Sequence, residues 1–167
     1  FNPDGSEAEM CGNGIRCFAK YLNNAGLTRD LSMHIATGAG IQQVYLQADR
    51  DEVQAVEVDM GVPVFEPARI PVLSPLEYVE RQPLQIADQH LAVSAVSMGN
   101  PHAVAFVDDV AHFPLTNVGP LVEHHPWFPR RVNFEVASVQ SRSELTMRVW
   151  ERGAGITLAC GSGACAV

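Results

Sequence analysis

Hydrophobic and polar positions along the chain follow a helical period in some stretches and an extended one in others, and the changes of period mark the elements. Residues 13–24 run as an amphipathic helix through Phe18-Ala19-Lys20-Tyr21-Leu22 and stop at Ala25-Gly26, a common glycine ending. Residues 33–37 read as a strand and Gly38-Ala39-Gly40 as a turn. Residues 41–48 and 53–59 alternate apolar with polar side chains on either side of Asp49-Arg50-Asp51-Glu52, which predicts a hairpin. The proline-rich stretch from Met60-Gly61-Val62-Pro63 to Pro75 reads as a crossing between domains. Beyond it, residues 76–81 suggest a short helical turn, and residues 84–86, 91–98 and 103–107 read as strands. A helix is expected over 117–125 with Pro120 in its first turn. Residues 131–139 and 144–151 alternate and pair across Gln140-Ser141-Arg142-Ser143, and a glycine-rich helix start closes the chain. The fold class is α+β, meandering strands around a helix, twice: residues 1–62 form one domain and 63–167 the other.

One motif occurs at both ends. Met10-Cys11-Gly12-Asn13-Gly14 opens the first helix, and Ala159-Cys160-Gly161-Ser162-Gly163 opens the last. Each sets a thiol at a helix N-terminus, where glycines let backbone N–H groups approach a ligand. That position is expected to lower the thiol pKa from about 8.5, as a nucleophilic or proton-accepting cysteine requires. Two such helix ends facing each other would make one shared anion site.

With 47% hydrophobic and 18% charged residues the chain is globular rather than disordered. Its net charge of −8, with no cluster of Lys and Arg, argues against nucleic acid or an anionic membrane as partner. Attraction for an anionic ligand must then be local, from helix ends and from Arg16 and Arg152. No apolar run is long enough to span a bilayer, because residues 91–107 are broken by Gly99-Asn100-Pro101-His102. The chain opens on Phe1 and stops one turn into a helix at Val167, so both ends are expected to be truncated and a missing signal peptide carries no meaning.

The four cysteines show no Cys-x-x-Cys spacing, which disfavours a zinc ribbon or a thioredoxin-like site. Cys17 and Cys165, each two helical turns or less past the first thiol of its motif, are expected to pack inward. His124-His125 has no spaced third ligand and reads as surface, and no metal is expected. His34, His90 and His112 carry no hypothesis; Trp127 and Trp150 read as core or edge residues. Asn2, Asn100 and Asn133 stand at abrupt strand-to-loop positions; any one alone is a turn cap. With Glu151-Arg152 they supply neutral donors, one acid and one base, a set suited to a zwitterionic, carboxylate-bearing ligand. His102 is either a loop residue or a partner that polarises a nearby thiol or acid.

Asn2-x-Asp4-Gly5-Ser6-Glu7-x-x-x-Cys11-Gly12-Asn13-Gly14-x-Arg16-Cys17, Gly99-Asn100-Pro101-His102, Arg131-Val132-Asn133-Phe134 and Glu151-Arg152-Gly153-x-Gly155-x-Thr157-x-Ala159-Cys160-Gly161-Ser162-Gly163 together closely resemble the diaminopimelate epimerase family. The resemblance implies two pseudo-symmetric domains, each a mixed, curled sheet around a central helix, with the site in the cleft between them. It implies interconversion of LL- and meso-diaminopimelate without a cofactor, in lysine and peptidoglycan precursor biosynthesis, by a cytoplasmic enzyme; a homodimer stays open. Cys11 and Cys160 match the two proton-transfer positions. Gly12, Asn13, Gly161 and Ser162 match the amides that hold the reacting carboxylate, and Glu151 the group that binds the α-ammonium. Asn2, Asn100, Asn133 and Arg152 match positions that fix the distal centre. His102 and Glu151 match groups that assist deprotonation of a thiol.

The local chemistry agrees with that resemblance. An amino-acid α-proton is very weakly acidic, and no lysine-plus-glycine context typical of a pyridoxal site provides an electron sink. The carbanion must instead be stabilised by N–H donors around the carboxylate. A substrate lacking a second amino-carboxylate group would leave Arg152 and the asparagines unpaired, which gives selectivity. Departures from the family pattern are small: Pro3 for alanine, Ser162 for threonine, Ile156 for glutamate. The rivals are a proline or hydroxyproline racemase of the same fold, whose first site resembles Cys-Gly-His-Gly where this chain has Asn13, and a non-catalytic anion-binding module.

Overall fold

The computed structural model describes Gly5, residues 10–50 and residues 52–167; Asn2 lies outside the described residues. The chain divides into two compact units, one reaching to Gly61 and one running from Val62 to Val167.

In the unit that reaches to Gly61, helix α1 (Gly12–Asn24) lies against an antiparallel sheet of β1 (Ser32–Thr37), β2 (Gly40–Asp49) and β3 (Glu52–Val58). The helix buries Gly12, Ile15, Ala19 and Asn23, positions three and four apart that fall on one stripe. Ile15 and Ala19 join Met10, Val44, Leu46 and Val53 in a small core. Lys20 ties the helix to the sheet by donating from Nζ to the Val53 carbonyl at 2.8 Å. The helix ends at Gly26, φ +69°, whose N–H bonds the Asn23 carbonyl while that of Leu27 reaches back to Leu22, both at 3.0 Å. That pairing is a Schellman ending, and the positive φ is why glycine stands there. Cys17, expected to pack inward, is exposed. Two residues from both Ile15 and Ala19, it points away from the buried stripe.

The second unit is a mixed sheet in the order β4 (Gln82–Ile86), β5 (Gln89–Ser97), β6 (Pro101–Phe106), β7 (Asn133–Ser141), β8 (Glu144–Glu151), β9 (Gly155–Thr157). Only β6 and β7 are parallel, and α2 (Leu115–Glu123) makes the crossover between them. Side chains alternate across the sheet. Ala103, Ala105, Phe134 and Val136 face the core shared with Leu115, Val118 and Val122 of α2. On the other face stand His102, Asn133 and Glu135, under the short helix α3 (Gly161–Ala166).

Several elements differ from expectation. Residues 76–81 are not helical; Val79 is buried and its carbonyl accepts from Ala95 N–H at 2.8 Å, which holds the segment extended beside β5. The helical turn sits earlier, at Pro67–Arg69. Helix α2 begins at Leu115, because the Pro114 carbonyl already accepts from Asn117 and Val118. Pro120 therefore falls inside the helix, where it removes the N–H that would have bonded Thr116. Strand β9 emerges from within the glycine motif, folding back on β8 through Gly153 (φ +73°) and Gly155 (φ +77°). Cys165 is also exposed, since α3 turns only Ser162 and Gly163 inward.

Helix α2 packs on Trp150 through Gly119: a Cβ there would lie 2.5 Å from the indole Cγ. Gly119→Ala must displace a ring held by its hydrogen bond to Glu123. The expected loss is about 1–3 kcal/mol of stability, read by denaturant unfolding. A variant as stable as the parent contradicts this contact.

Candidate active site

The two Cys-Gly-x-Gly motifs fold alike. Cys11 is the N-cap of α1 with φ −136° and ψ 103°, and its sulfur accepts from Gly14 N–H at 3.3 Å. Cys160 is the N-cap of α3 with φ −127° and ψ 113°, and its sulfur accepts from Gly163 N–H at 3.3 Å. The glycine three residues after each cysteine keeps the sulfur uncrowded: a Cβ at Gly14 or at Gly163 would lie 3.3 Å from it, a tight approach. Gly12 is buried and Asn13 half-buried at the start of α1, and Asn13 Oδ1 accepts from Arg16. All four cysteines are free thiols.

In the Val62–Val167 unit, most of the expected residues form one polar cluster between the sheet and α3. Asn100 donates from Nδ2 to Ser162 Oγ at 3.2 Å, and its Oδ1 lies 2.9 Å from His102 Nε2. His102 is not a loop residue but the second residue of β6. It is fully buried, and its Nδ1 lies 2.7 Å from Glu135 Oε1. Both ring nitrogens are thus engaged, and the imidazole reaches the thiol only through Asn100 and Ser162. Ser162 Oγ lies 3.5 Å from Cys160 Sγ. Asn133 is a brace: its Nδ2 donates to the Pro101 carbonyl and its Oδ1 accepts from Arg152 N–H, both at 2.9 Å. The Arg152 guanidinium donates to the Arg130 carbonyl at 3.3 Å. Glu151, half-buried, accepts from the Thr157 hydroxyl across β8 and β9.

Two buried acids in this unit were not expected. Glu123, at the end of α2, accepts from Trp150 Nε1 at 2.6 Å and from Gly153 N–H at 2.9 Å, and so holds the Glu151–Gly155 turn. Glu135 stands two residues after Asn133 on the same face of β7. The polar alternation Asn133-x-Glu135 inside an apolar strand was the available signal.

The expected fall of the thiol pKa is corrected at Cys160. Burial pushes this thiol up to about 11, and the negative charge of Glu151 pushes the same way. Hydrogen bonds from Ser162 and Gly163 favour the thiolate but do not win. At neutral pH this sulfur therefore keeps its proton. A cavity of about 410 Å³ lined by Arg148, Ile156, Thr157, Leu158 and Cys160, among others, leaves the thiol accessible. His125, which lies against Trp127 and Phe128, is pulled down by burial. Among the described residues no cluster of acids, histidines and cysteines could hold a metal ion. No helix there is long and apolar enough to cross a membrane.

The model of the family Diaminopimelate epimerase matches residues 1–66 and 94–167. The chain belongs to this family. It is 52% identical over 167 residues to a diaminopimelate epimerase of Acetivibrio thermocellus, covering 100% of this chain and 60% of that protein. It is 52% identical over 166 residues to one of Moorella thermoacetica, covering 99% of this chain and again 60% of the relative. The chain thus spans about 60% of the length of the curated relatives it matches. Among solved structures, a hydroxyproline epimerase from Agrobacterium vitis with bound trans-4-OH-L-proline superposes with a TM-score of 0.61 at 16% identity, over 97% of this chain and 51% of that one. That likeness shows a shared fold.

Alkylation of Cys160 by iodoacetamide, followed by peptide mass spectrometry, should accelerate with pH and level off only near pH about 11. Glu151→Gln removes a charge that raises this value, so the profile should move to lower pH. An unmoved or upward profile contradicts the electrostatic coupling.

Proposed function

We propose that the protein interconverts LL- and meso-diaminopimelate by proton transfer at the α-carbon, between one cysteine thiolate and one cysteine thiol, without a cofactor. The observation that carries this reading is the repetition of one thiol geometry. Cys11 and Cys160 cap their helices with nearly the same dihedrals and accept the same amide at the same distance. A two-base epimerisation requires two equivalent acid–base groups, one for each face of the carbon.

The roles follow from chemistry. One sulfur removes the α-proton, and the other donates a proton from the opposite face. Negative charge passing to the substrate carboxylate is met by amides of Gly12 and Asn13 at one helix start and of Gly161 and Ser162 at the other. Glu151 takes the α-ammonium. That pairing neutralises a charge that otherwise raises the Cys160 pKa, so substrate binding itself makes the thiolate easier to form. Arg152 and Asn2 fix the distal carboxylate and ammonium. Asn133 contributes by holding the Arg152 backbone, and Asn100 and His102 contribute through Ser162. The substrate is a small molecule, and the reaction belongs to lysine and peptidoglycan precursor biosynthesis. A cytoplasmic site, a homodimer, and the absence of a nucleic-acid partner go with this reading.

The test uses protein made from its complete coding sequence, incubated in deuterium oxide with LL-diaminopimelate and, separately, with L-proline. Deuterium should enter the α-position of diaminopimelate alone. Cys11→Ala and Cys160→Ala should each lower epimerisation at least about a hundredfold, as expected when a general acid or base is removed. Full activity in either variant, or exchange with proline only, overturns the proposal.

A further inference from the structure

The buried acid Glu135 has no part in the chemistry just described, yet it is the inner end of a continuous chain of hydrogen bonds. From Glu135 Oε1 the chain passes to His102 Nδ1 at 2.7 Å and from His102 Nε2 to Asn100 Oδ1 at 2.9 Å. It continues from Asn100 Nδ2 to Ser162 Oγ at 3.2 Å and from Ser162 Oγ to Cys160 Sγ at 3.5 Å. We propose that Glu135 is a positioning residue for proton transfer at Cys160: it sets the direction of this chain so that the Ser162 hydroxyl donates to the sulfur. The inference rests on the reading of Cys160 as a proton-transfer group.

The direction follows from donors and acceptors. Asn100 donates through Nδ2, so its Oδ1 must accept, and the proton between it and His102 sits on Nε2. Ser162 Oγ accepts from Asn100, which leaves its own proton for the sulfur. At the other end, Nδ1 and Glu135 Oε1 share a proton. If Glu135 were a bare carboxylate beside a neutral ring, the proton would move to Nδ1, Nε2 would become an acceptor, and every link beyond it would reverse.

The surroundings oppose that bare carboxylate. Glu135 is fully buried, and its Oε2 has no hydrogen-bond partner among the described residues. An ionised oxygen left unpaired in the interior is far more costly than the carbonyl oxygen of a protonated acid. Burial accordingly raises the Glu135 pKa, with Glu151 adding to the rise and His102 opposing it. The titratable groups around it are His102 on β6, Glu151 on β8 and Cys160 at the start of α3. The fit is also steric: a Cβ at Gly163 would lie 2.7 Å from Glu135 Oε1, so the acid fills the space that this glycine leaves open.

Three readouts on protein from the complete coding sequence test the chain. In unmodified protein labelled with ¹⁵N-histidine, the His102 ring, assigned by its loss in His102→Gln, should carry its proton on Nε2; a bare Nε2 overturns the proposal, and this readout needs no folded variant at position 135. Glu135→Leu and Ser162→Ala should each raise the apparent pKa of Cys160 alkylation by about one unit, the effect of losing one hydrogen bond to a thiolate. Each should lower kcat about tenfold with KM little changed, and the double variant should be no worse than either single one. Glu135→Gln, which keeps a donor toward Nδ1, should recover the rate to within about threefold of the parent. Effects of Glu135→Leu and Ser162→Ala that multiply, or a folded Glu135→Leu with an unmoved alkylation profile, overturn it. Should Cys160→Ala remain active, the proposed function fails, while the tautomer and alkylation readouts still decide the chain.

Discussion

The candidate site depends on a single bond made twice, from the amide of a helix's third residue to the sulfur of the cysteine that caps it. The bond satisfies an N–H that the helix itself cannot, and it brings the sulfur so close that a side chain at the donor position would crowd it. The motif is therefore a matter of geometry as well as chemistry. The helix end favours a thiolate by at most a modest amount, and at Cys160 burial beside two acids outweighs it.

Much of the fold was legible because apolar periodicity follows directly from burial. The hairpin of β2 and β3, the pairing of β7 with β8 and both thiol-capped helices stand close to where alternation and glycine placed them. What misled was chemistry that depends on distant parts of the chain. Residues 76–81 read as a short helical turn, but Val79 is drawn against β5 by Ala95, sixteen residues away in sequence. Pro120 suited a first turn, yet the Pro114 carbonyl starts the helix earlier.

The site was legible at its cysteines and less so at its acids. A carboxylate alternating with apolar residues on a strand looks like a solvated face, and only a covering element shows otherwise. Glu135 became part of the site because α3, at the far end of the chain, lies over that face of β7. The same holds for the thiol pKa. The sequence reveals that a sulfur stands at a helix start, but not how much water has been removed from it.

The parallel pairing of β6 and β7 ties these features together. Because α2 must cross from one strand to the other, one face of the pair is committed to the apolar core, and the alternate residues are left as a polar layer. A polar layer inside a protein persists only if most of its groups are satisfied, and here all but Glu135 Oε2 bond one another in sequence from Glu135 to Cys160. Helix α2 braces the end of β8 beside this layer, packing on Trp150 at Gly119 and holding the Glu151–Gly155 turn through Glu123. Replacing the layer with apolar residues would remove the unpaired Glu135 oxygen and relieve its burial. That the chain instead keeps a buried acid, joined bond by bond to an N-cap thiol, is most simply understood if the direction of those bonds matters to what the sulfur does.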